Sequence, residues 1–444
     1  MGIPQWNDLS DRRRLVQFCS AVYTFTMPFT FVHAADLHLD SPFRGIRDEA
    51  PEVAARLRSA TFDAYAALIN LCIDRDANFL LIAGDVYDGA DRSLAAQLRF
   101  RDGLVRLSEA GIPAFIVHGN HDPLEGWSSA LTWPEQTTIF GGDDVQTVIV
   151  EAGGNPIAAV SGISYPTQRE NRNLAALFRA ERPDLFQIAL LHCNCGGQAD
   201  HESYAPCSPD DLIRADFDYW ALGHVHTMAL LNRNPHIVYP GTIQGRSIRE
   251  TGPRGCYLMT VGDDRDVKEE FCPLDAVRWF AREVRIEELD TVDQLEGALA
   301  DDVDRVREGA EGRPAVCRLT MVGRGPLYGE LNREGTLQGL LERLREQGLE
   351  DEPFVWVERL KLRGAPAIDL EQRCLEKDLL GELLRITNDL RGDEDLVERL
   401  SLALVELHEH ARARRALAEL TPDDFHALLD DAANLCVDLL ETGP

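Results

Sequence analysis

Five apolar runs in the first half of this chain each end in a side chain that can hold a metal ion. They are FTFVHAAD (29–36), NFLLIAGD (78–85), PAFIVHGN (113–120), FQIALLH (186–192) and DYWALGH (218–224). With their immediate neighbours they supply Asp36, His38, Asp85, Asn120, His192, His224 and His226. Two carboxylates, one amide and four imidazoles form an oxygen and nitrogen set without thiolate. That set suits manganese, iron or zinc better than calcium. It is too large for one tetrahedral ion. It suits two divalent ions about 3.5–4 Å apart with a carboxylate between them, the arrangement of two-metal phosphoester hydrolysis. A single His or Gly-Asp at a strand end is ordinarily structural, but an ordered series of such motifs, each behind an apolar strand, points to one site.

Alternation along an extended chain gives the expected division of labour. In Asp36-x-His38 and His224-x-His226, positions i and i+2 face the same way, so each pair is expected to converge on one face. Neighbours face opposite ways, so Asn120 is expected to turn toward the metals and His121 past them toward a phosphate. His121 is the expected proton donor to the leaving oxygen, with its imidazole held by Asp122 or by another carboxylate. His118 is expected in the core or behind the ligands.

The elements that must carry these groups are legible in the pattern. The runs are strand-length and rich in branched or aromatic residues. Between the first three lie EVAARLRSATFDAYAALINLCIDRDA and SLAAQLRFRDGLVRLSEAG, both with helical periodicity. Alternating strands and helices predict an α/β domain whose ligands gather at the carboxyl ends of the strands. HIVYPGTI and RGCYLMTV then read as shorter strands. From Val277 a small βαβαβ unit is expected: VRWFAREVRIE, AVCRLTMVGR and FVWVERLKLRG as strands, with VDQLEGALADDVDRVREGA and LQGLLERLREQG as helices. From Asp369 onward the pattern is helical and amphipathic, with a break at LTPDD (420–424). Those apolar faces pack on each other or dock a partner helix.

The bulk numbers exclude some classes. At 444 residues the chain is long enough for two or three domains, and no apolar run suggests a membrane span. The net charge of −30, with only three lysines (Lys268, Lys361 and Lys377), argues against a surface that grips nucleic acid all over. A local basic groove or bound divalent ions can still reverse the local field. The 10 cysteines show no framework spacing, which suits reduced thiols and a cytoplasmic protein. Cys193, Cys195 and Cys207 with His201 are a conceivable zinc set, but without a Cys-x-x-Cys pair free thiols are the preferred reading. DRRRLVQFCSAVYTFTM near the start looks like a short signal peptide. It runs directly into the first strand, which cleavage would remove, so export is not expected.

The order Asp-x-His, Gly-Asp-x-x-Asp, Gly-Asn-His-Asp, His and Gly-His-x-His resembles the calcineurin-like metallophosphoesterases. Within them the chain is most similar to the SbcD-like DNA repair exonucleases, YhaO subgroup. The supporting stretches are DLHLDSPF (36–43), GGQADHESYAPC (196–207), DYWALGHVH (218–226) and YPGTIQGRSIRETGPRGCYL (239–258). The resemblance implies a four-layer αββα core with a small βαβαβ capping domain and a C-terminal helical tail. It implies an N-terminal extension at 1–26, a metallophosphoesterase (nuclease) domain at 27–275, a capping domain at 276–364 and a helical tail at 365–444. It implies that Asp36, His38, Asp85 and His226 hold one ion and that Asp85, Asn120, His192 and His224 hold the other, with manganese the usual metal. One departure stands out. Several nucleases of the wider group have His where GDVYD places Asp88, so a phosphate-positioning role there is lost, moved, or replaced by a carboxylate contact behind the ligands.

The implied activity is a two-metal DNA phosphodiesterase, a repair exonuclease working with an SMC-like coiled-coil ATPase, and a homodimer is compatible with it. The alternative is a metallophosphatase or cyclic-nucleotide phosphodiesterase on a small substrate, and a non-catalytic scaffold is the third reading. For DNA, arginines must supply the groove. Arg44, Arg246, Arg249, Arg254 and Arg324 are the candidates as a set.

Overall fold

The computed structural model describes residues 28–41, 50–89, 93–126, 131–197, 204–368 and 370–391, with a few helical positions between 429 and 440. The chain divides into two compact units. The first contains the described residues up to Ala281 with Arg305–Cys317 and Gln347–Glu358; the second contains Arg282–Asp304, Arg318–Glu346 and the chain from Arg359.

In chain order the elements begin with β1 (Phe29–Ala34), α1 (Pro51–Asp74), β2 (Phe79–Ala83), α2 (Leu94–Glu109), β3 (Ala114–Val117) and β4 (Thr137–Ile139). Then come β5 (Gln146–Ala152), β6 (Asn155–Gly162), β7 (Phe186–His192), α3 (Pro209–Arg214), β8 (Tyr219–Gly223), β9 (Ala229–Arg233) and β10 (His236–Tyr239). β11 (Gly255–Val261) and β12 (Val267–Pro273) follow. Two six-stranded sheets result, in the orders β12-β11-β1-β2-β3-β4 and β5-β6-β7-β8-β10-β9. The centre of each is parallel: β1 to β4 in the first, β6, β7, β8 and β10 in the second. Antiparallel strands close one side of the first sheet, β11 and β12, and both sides of the second, β5 and β9.

The sequence explains the layers. α1 begins with Pro51, whose missing N–H is no loss in the first turn, and buries Val53, Leu57, Ala60, Ala64 and Leu68 at helical spacing. The Ser93 hydroxyl caps α2, accepting from Ala96 N at 3.0 Å. These helices cover the outer face of the first sheet through Leu80, Ile82, Phe100 and Leu104. The other face of that sheet meets the second sheet across Phe31, Leu81, Val117, Val160, Ile188 and Ala221. Inside this layer the rings of Phe31 and Phe79 stack with centroids 5.1 Å apart. His33 lies there too, its Nδ1 2.9 Å from the Tyr219 hydroxyl, and burial pushes its pKa down to about 3, so the ring is neutral. The far face of the second sheet is covered by α3 and a short 3-10 turn at Leu174–Leu177. The expected four-layer core is therefore present.

The βαβαβ unit is present as well. β13 (Arg278–Arg285), α4 (Val292–Gly309), β14 (Ala315–Gly325), α5 (Tyr328–Leu331), α6 (Thr336–Glu350) and β15 (Val355–Pro366) give a three-stranded sheet in the order β13-β14-β15. α7 (Leu370–Cys374) and α8 (Leu379–Arg391) begin the helical tail. The sequence pattern reads one helix across them, but the structure breaks it and restarts at Asp378, whose carboxylate accepts from Gly381 N at 2.9 Å. The expected helix from Asp393 and the LTPDD break lie outside the described residues, as do residues 1–26. Among the described residues no helix is long and apolar enough to cross a membrane.

Phe31 is fully buried between the sheets. Phe31→Ala should lower the unfolding free energy by about 3–5 kcal/mol. The check is a fall in the urea midpoint with an unchanged slope.

Candidate metal centre

Except at His192, the last residue of β7, the regular strands stop before the polar residues they deliver. β1 ends at Ala34, and Asp36 and His38 then take left-handed backbone, with φ of 52° and 43°. Asp85 (φ 50°) and His224 (φ 101°) do the same just past β2 and β8. Asp and His accept this region more readily than most side chains, at a cost of roughly 1–3 kcal/mol each. The expected reason for convergence was therefore wrong. Asp36 and His38 meet because the chain turns, not because an extended strand alternates. Hydrogen bonds past the strand end hold the turn: Asp36 N to Gly84 O at 3.1 Å, His38 N to Asp85 O at 3.0 Å and Leu39 N to Val86 O at 2.9 Å.

His192 sits in a slot made by absent side chains. A Cβ on Gly84, Gly119 or Gly223 would press into its ring. His192 Nδ1 donates to Ala83 O at 2.9 Å, which turns its Nε2 lone pair toward Asn120 Oδ1 at 3.0 Å and Asp85 Oδ2 at 3.4 Å. His224 Nδ1 lies 3.2 Å from the same amide oxygen, while its backbone N–H donates to both Asp36 oxygens at 3.1 Å. On the other side, His38 Nδ1 donates to Asp88 Oδ1 at 2.5 Å and His226 Nδ1 to Glu250 Oε1 at 2.8 Å. Both Nε2 atoms are thereby left as acceptors, and they face each other at 3.2 Å.

Acceptors aimed at acceptors in a buried pocket call for a cation. The spacing fits one. Bonds of about 2.1 Å give neighbouring ligand atoms roughly 3.0–3.4 Å apart in octahedral or tetrahedral geometry. The seven predicted donors are brought together, and the carboxylates and imidazoles fall into the groups Asp36, His38, His226 and Asp36, Asp85, His192. Asp36 is common to both groups, and the donor set fits divalent cations.

A sequence profile described as Calcineurin-like phosphoesterase matches residues 29–228, and one described as Metallophosphoesterase YhaO, middle domain, matches residues 279–365. A Bacillus subtilis (strain 168) protein described as uncharacterized metallophosphoesterase YhaO is 37% identical over 332 residues, which is 74% of this chain and 81% of that protein. This chain belongs to the calcineurin-like metallophosphoesterases. Two archaeal proteins described as DNA double-strand break repair protein Mre11 are more distant. The one from Aeropyrum pernix is 23% identical, covering 52% of this chain and 58% of that protein. The one from Sulfurisphaera tokodaii is 27% identical, covering 37% of this chain and 43% of that protein.

Electrostatics in this metallophosphoesterase follow from burial and from the carboxylates and imidazoles crowded together. Burial would lower the pKa of His192, but the Asp85 and Asp36 carboxylates outweigh it and raise it to about 9. Burial would raise Asp85, yet His192, His38 and His121 hold it well below the usual range. Asp36 is raised, chiefly by burial. Burial, helped by Arg246, lowers His38 to about 4. Burial opposes the ionised forms of Asp88 and Glu250, but hydrogen bonds from His38 and His226 and the charge of Arg246 keep both depressed.

Several residues have jobs that the sequence reading left open or missed. Asp122 does not hold His121. It is fully buried, accepts from Gly119 N at 2.9 Å and Val86 N at 2.8 Å, and lies 3.2 Å from His118, so it anchors the loop. Asp88 is the carboxylate beside His121, with Asp88 Oδ1 3.3 Å from His121 Nδ1. Glu250 was missed altogether. Nothing in RSIRETGPRG marks its single acid, Glu250, as one that turns inward.

The arginine set is corrected too. Arg246 lies between Asp88 and Glu250, with its Nη atoms 3.3 Å from each carboxylate. Arg254 is buried and donates to the carbonyls of His226 and Thr251. Arg324, in the second unit, reaches Pro366 O at 3.4 Å. Arg249 is exposed, and Arg44 lies outside the described residues. The three cysteines near the site are free thiols, with Cys193 and Cys207 sulfurs 3.7 Å apart, and His201 lies outside the described residues.

Two predictions follow from this geometry. Because metal-free His192 keeps its proton up to about pH 9, metal uptake below that pH must expel it. Affinity should climb as pH rises through neutrality and level off above about 9. Titration calorimetry of stripped protein, in buffers of different ionisation heat, reads the released proton; equal heats would contradict this. Separately, Glu250→Gln should weaken metal binding about 10–100-fold by loosening His226. Competition with a chelator measures it.

Proposed function

We propose that this metallophosphoesterase hydrolyses phosphodiester bonds in DNA as an exonuclease, with manganese, in partnership with an SMC-like coiled-coil ATPase. The observation that carries the reading is one exposed imidazole beside a buried donor set. The His121 side chain is 43% exposed while its neighbours Asp85, His38 and His192 are buried. Its backbone N–H donates to Asp85 Oδ1 at 2.9 Å, which ties the loop to the centre. Its Nδ1 faces Asp88, so Nε2 is the nitrogen left for substrate. Two ions held by the surrounding donors would acidify a water and offset charge on the phosphoryl oxygens. His121 then supplies the proton that the leaving oxygen needs. Likeness to the two Mre11 proteins supports DNA as the substrate. The ATPase partner, a homodimer and a cytoplasmic location belong to the same proposal and rest on the resemblance.

A second reading has its own support. The net charge is −30, and Arg246 and Arg254 are engaged within the protein rather than offered to a phosphate backbone. Those features favour a small phosphoester, as in a metallophosphatase or cyclic-nucleotide phosphodiesterase. End-labelled single- and double-stranded DNA, bis-p-nitrophenyl phosphate and a cyclic nucleotide, each with manganese, separate the two. Shortening of the labelled DNA is the expected result. Turnover of the small substrates alone would favour the second reading.

His121→Asn should retain its metals by elemental analysis yet lose roughly 10²–10⁴-fold in turnover of an unactivated diester. Loss of metal in that variant would remove His121 from the proton-donor role.

A further inference from the structure

Two thiols meet directly behind the metal centre. The sulfurs of Cys193 and Cys207 lie 3.7 Å apart, and both residues are free thiols. Cys193 follows the donor His192 in the chain and is fully buried, whereas Cys207 is half-buried. Backbone bonds hold the two segments side by side. Cys207 N donates to Asn194 O at 3.2 Å, Asn194 N to Tyr204 O at 3.0 Å and Gly196 N to Cys207 O at 2.9 Å. The Tyr239 hydroxyl pins the same stretch, donating to Cys193 O at 2.8 Å and accepting from Cys195 N at 2.9 Å. Among the described residues Cys193, Cys195 and Cys207 do not form a group that could hold an ion. A sulfur pair at this distance has a second chemistry open to it.

We infer that Cys193 and Cys207 close into a reversible disulfide under oxidation, and that this bridge weakens metal binding. The oxidant is hydrogen peroxide. The more accessible Cys207 sulfur attacks the O–O bond; one oxygen leaves as water and the other stays on sulfur as a sulfenic acid. The Cys193 sulfur then displaces that hydroxyl, which makes the S–S bond and releases a second water. Two thiols thus give up two electrons and two protons, and one peroxide becomes two waters. Contact with Cys193, together with burial, pushes the Cys207 pKa up, so its thiolate is scarce and excess oxidant is needed.

The link to the metal centre is geometric. The sulfurs must close from 3.7 Å to about 2.05 Å. On one side the pull falls on the backbone next to His192, whose ring has no slack against Gly84, Gly119 and Gly223. On the other it falls on the segment that carries Tyr204, whose ring stands edge-on to His224 with centroids 5.9 Å apart. Both imidazoles belong to the donor set, so the bridge strains two ligands from behind.

The test uses the full chain loaded with manganese. Excess hydrogen peroxide is added and removed with catalase, free thiols are blocked with N-ethylmaleimide, and peptides are mapped by mass spectrometry. The expected product is one cross-linked pair joining Cys193 to Cys207, absent after dithiothreitol and absent in Cys207→Ser. Competition with a chelator should then show manganese held about 10-fold more weakly by the bridged protein. Dithiothreitol should restore the untreated affinity. Peroxide-treated Cys207→Ser should bind manganese as untreated Cys207→Ser does, which separates the bridge from oxidative damage to the histidines. Cys207→Ala takes its place where the serine protein folds poorly.

No cross-link, a sulfinic acid on Cys207 in its place, or a bridge from Cys207 to Cys195 would overturn the inference. So would unchanged manganese affinity in the bridged protein, or an equal loss in treated Cys207→Ser.

Discussion

The centre depends on one constraint: a set of lone pairs aimed at one another in a largely buried pocket. His38 and His226 turn their Nε2 atoms face to face, and His192 points its own at an amide oxygen and a carboxylate. The raised pKa of His192, set by the carboxylates around it, is a sign of the same crowding. The fold keeps the arrangement by gripping each ring from behind. Ala83 O holds His192, Asp88 holds His38 and Glu250 holds His226. The four left-handed residues at the strand ends are a further local cost of the same arrangement. Around them, two sheets packed through Phe31, Phe79 and Tyr219 supply a platform stiff enough to bear it.

Charge is organised outward from this point. Arg246 lies between the two rear carboxylates and links the supports of His38 and His226 into one network. Its loop is fixed in turn, since Gly245 O accepts from the Trp279 indole at 2.9 Å and the Gln244 side chain bonds the backbone of Ala276 and Val277. A protein of net charge −30 can therefore meet an anionic phosphoester through bound cations, without a broadly basic surface.

The fold class was legible because its carriers are strongly patterned. Apolar runs such as FLLIA and FQIAL, short and bounded by polar or turn residues, read as buried strands, and α1 shows its core face at plain helical spacing. The β5–β6 hairpin was not legible. Its outer strand is only half buried, and Gly153 and Gly154 form its turn with positive φ, so the apolar signal is weak. At the centre, the donor types were readable while the geometry was not. Left-handed turns at Asp36 and His38 leave no periodic trace. The role of Asp88 depends on Ser41 and Arg246, and Arg246 is 158 positions further along the chain. Arg254 shows the same gap: in sequence it is a loop cation, and in space it is an internal brace on the His226 carbonyl.

The place of β11 carries a consequence for how the protein is made. It pairs with β1 on the side away from β2, and Arg246 and Glu250 lie just before it in the chain. A nascent chain grows from its N terminus, so it holds every donor up to His226 before Glu250 has been added. Until residues 255–261 emerge, the first strand of the domain is an open sheet edge. Synthesis thus delays the finished centre to the end of the domain, and loop closure over more than two hundred residues makes this a slow, high-contact-order fold. A chain stopped just after His226 would carry the full set of donors without Glu250, the carboxylate behind His226, and without the β11 partner of the first strand.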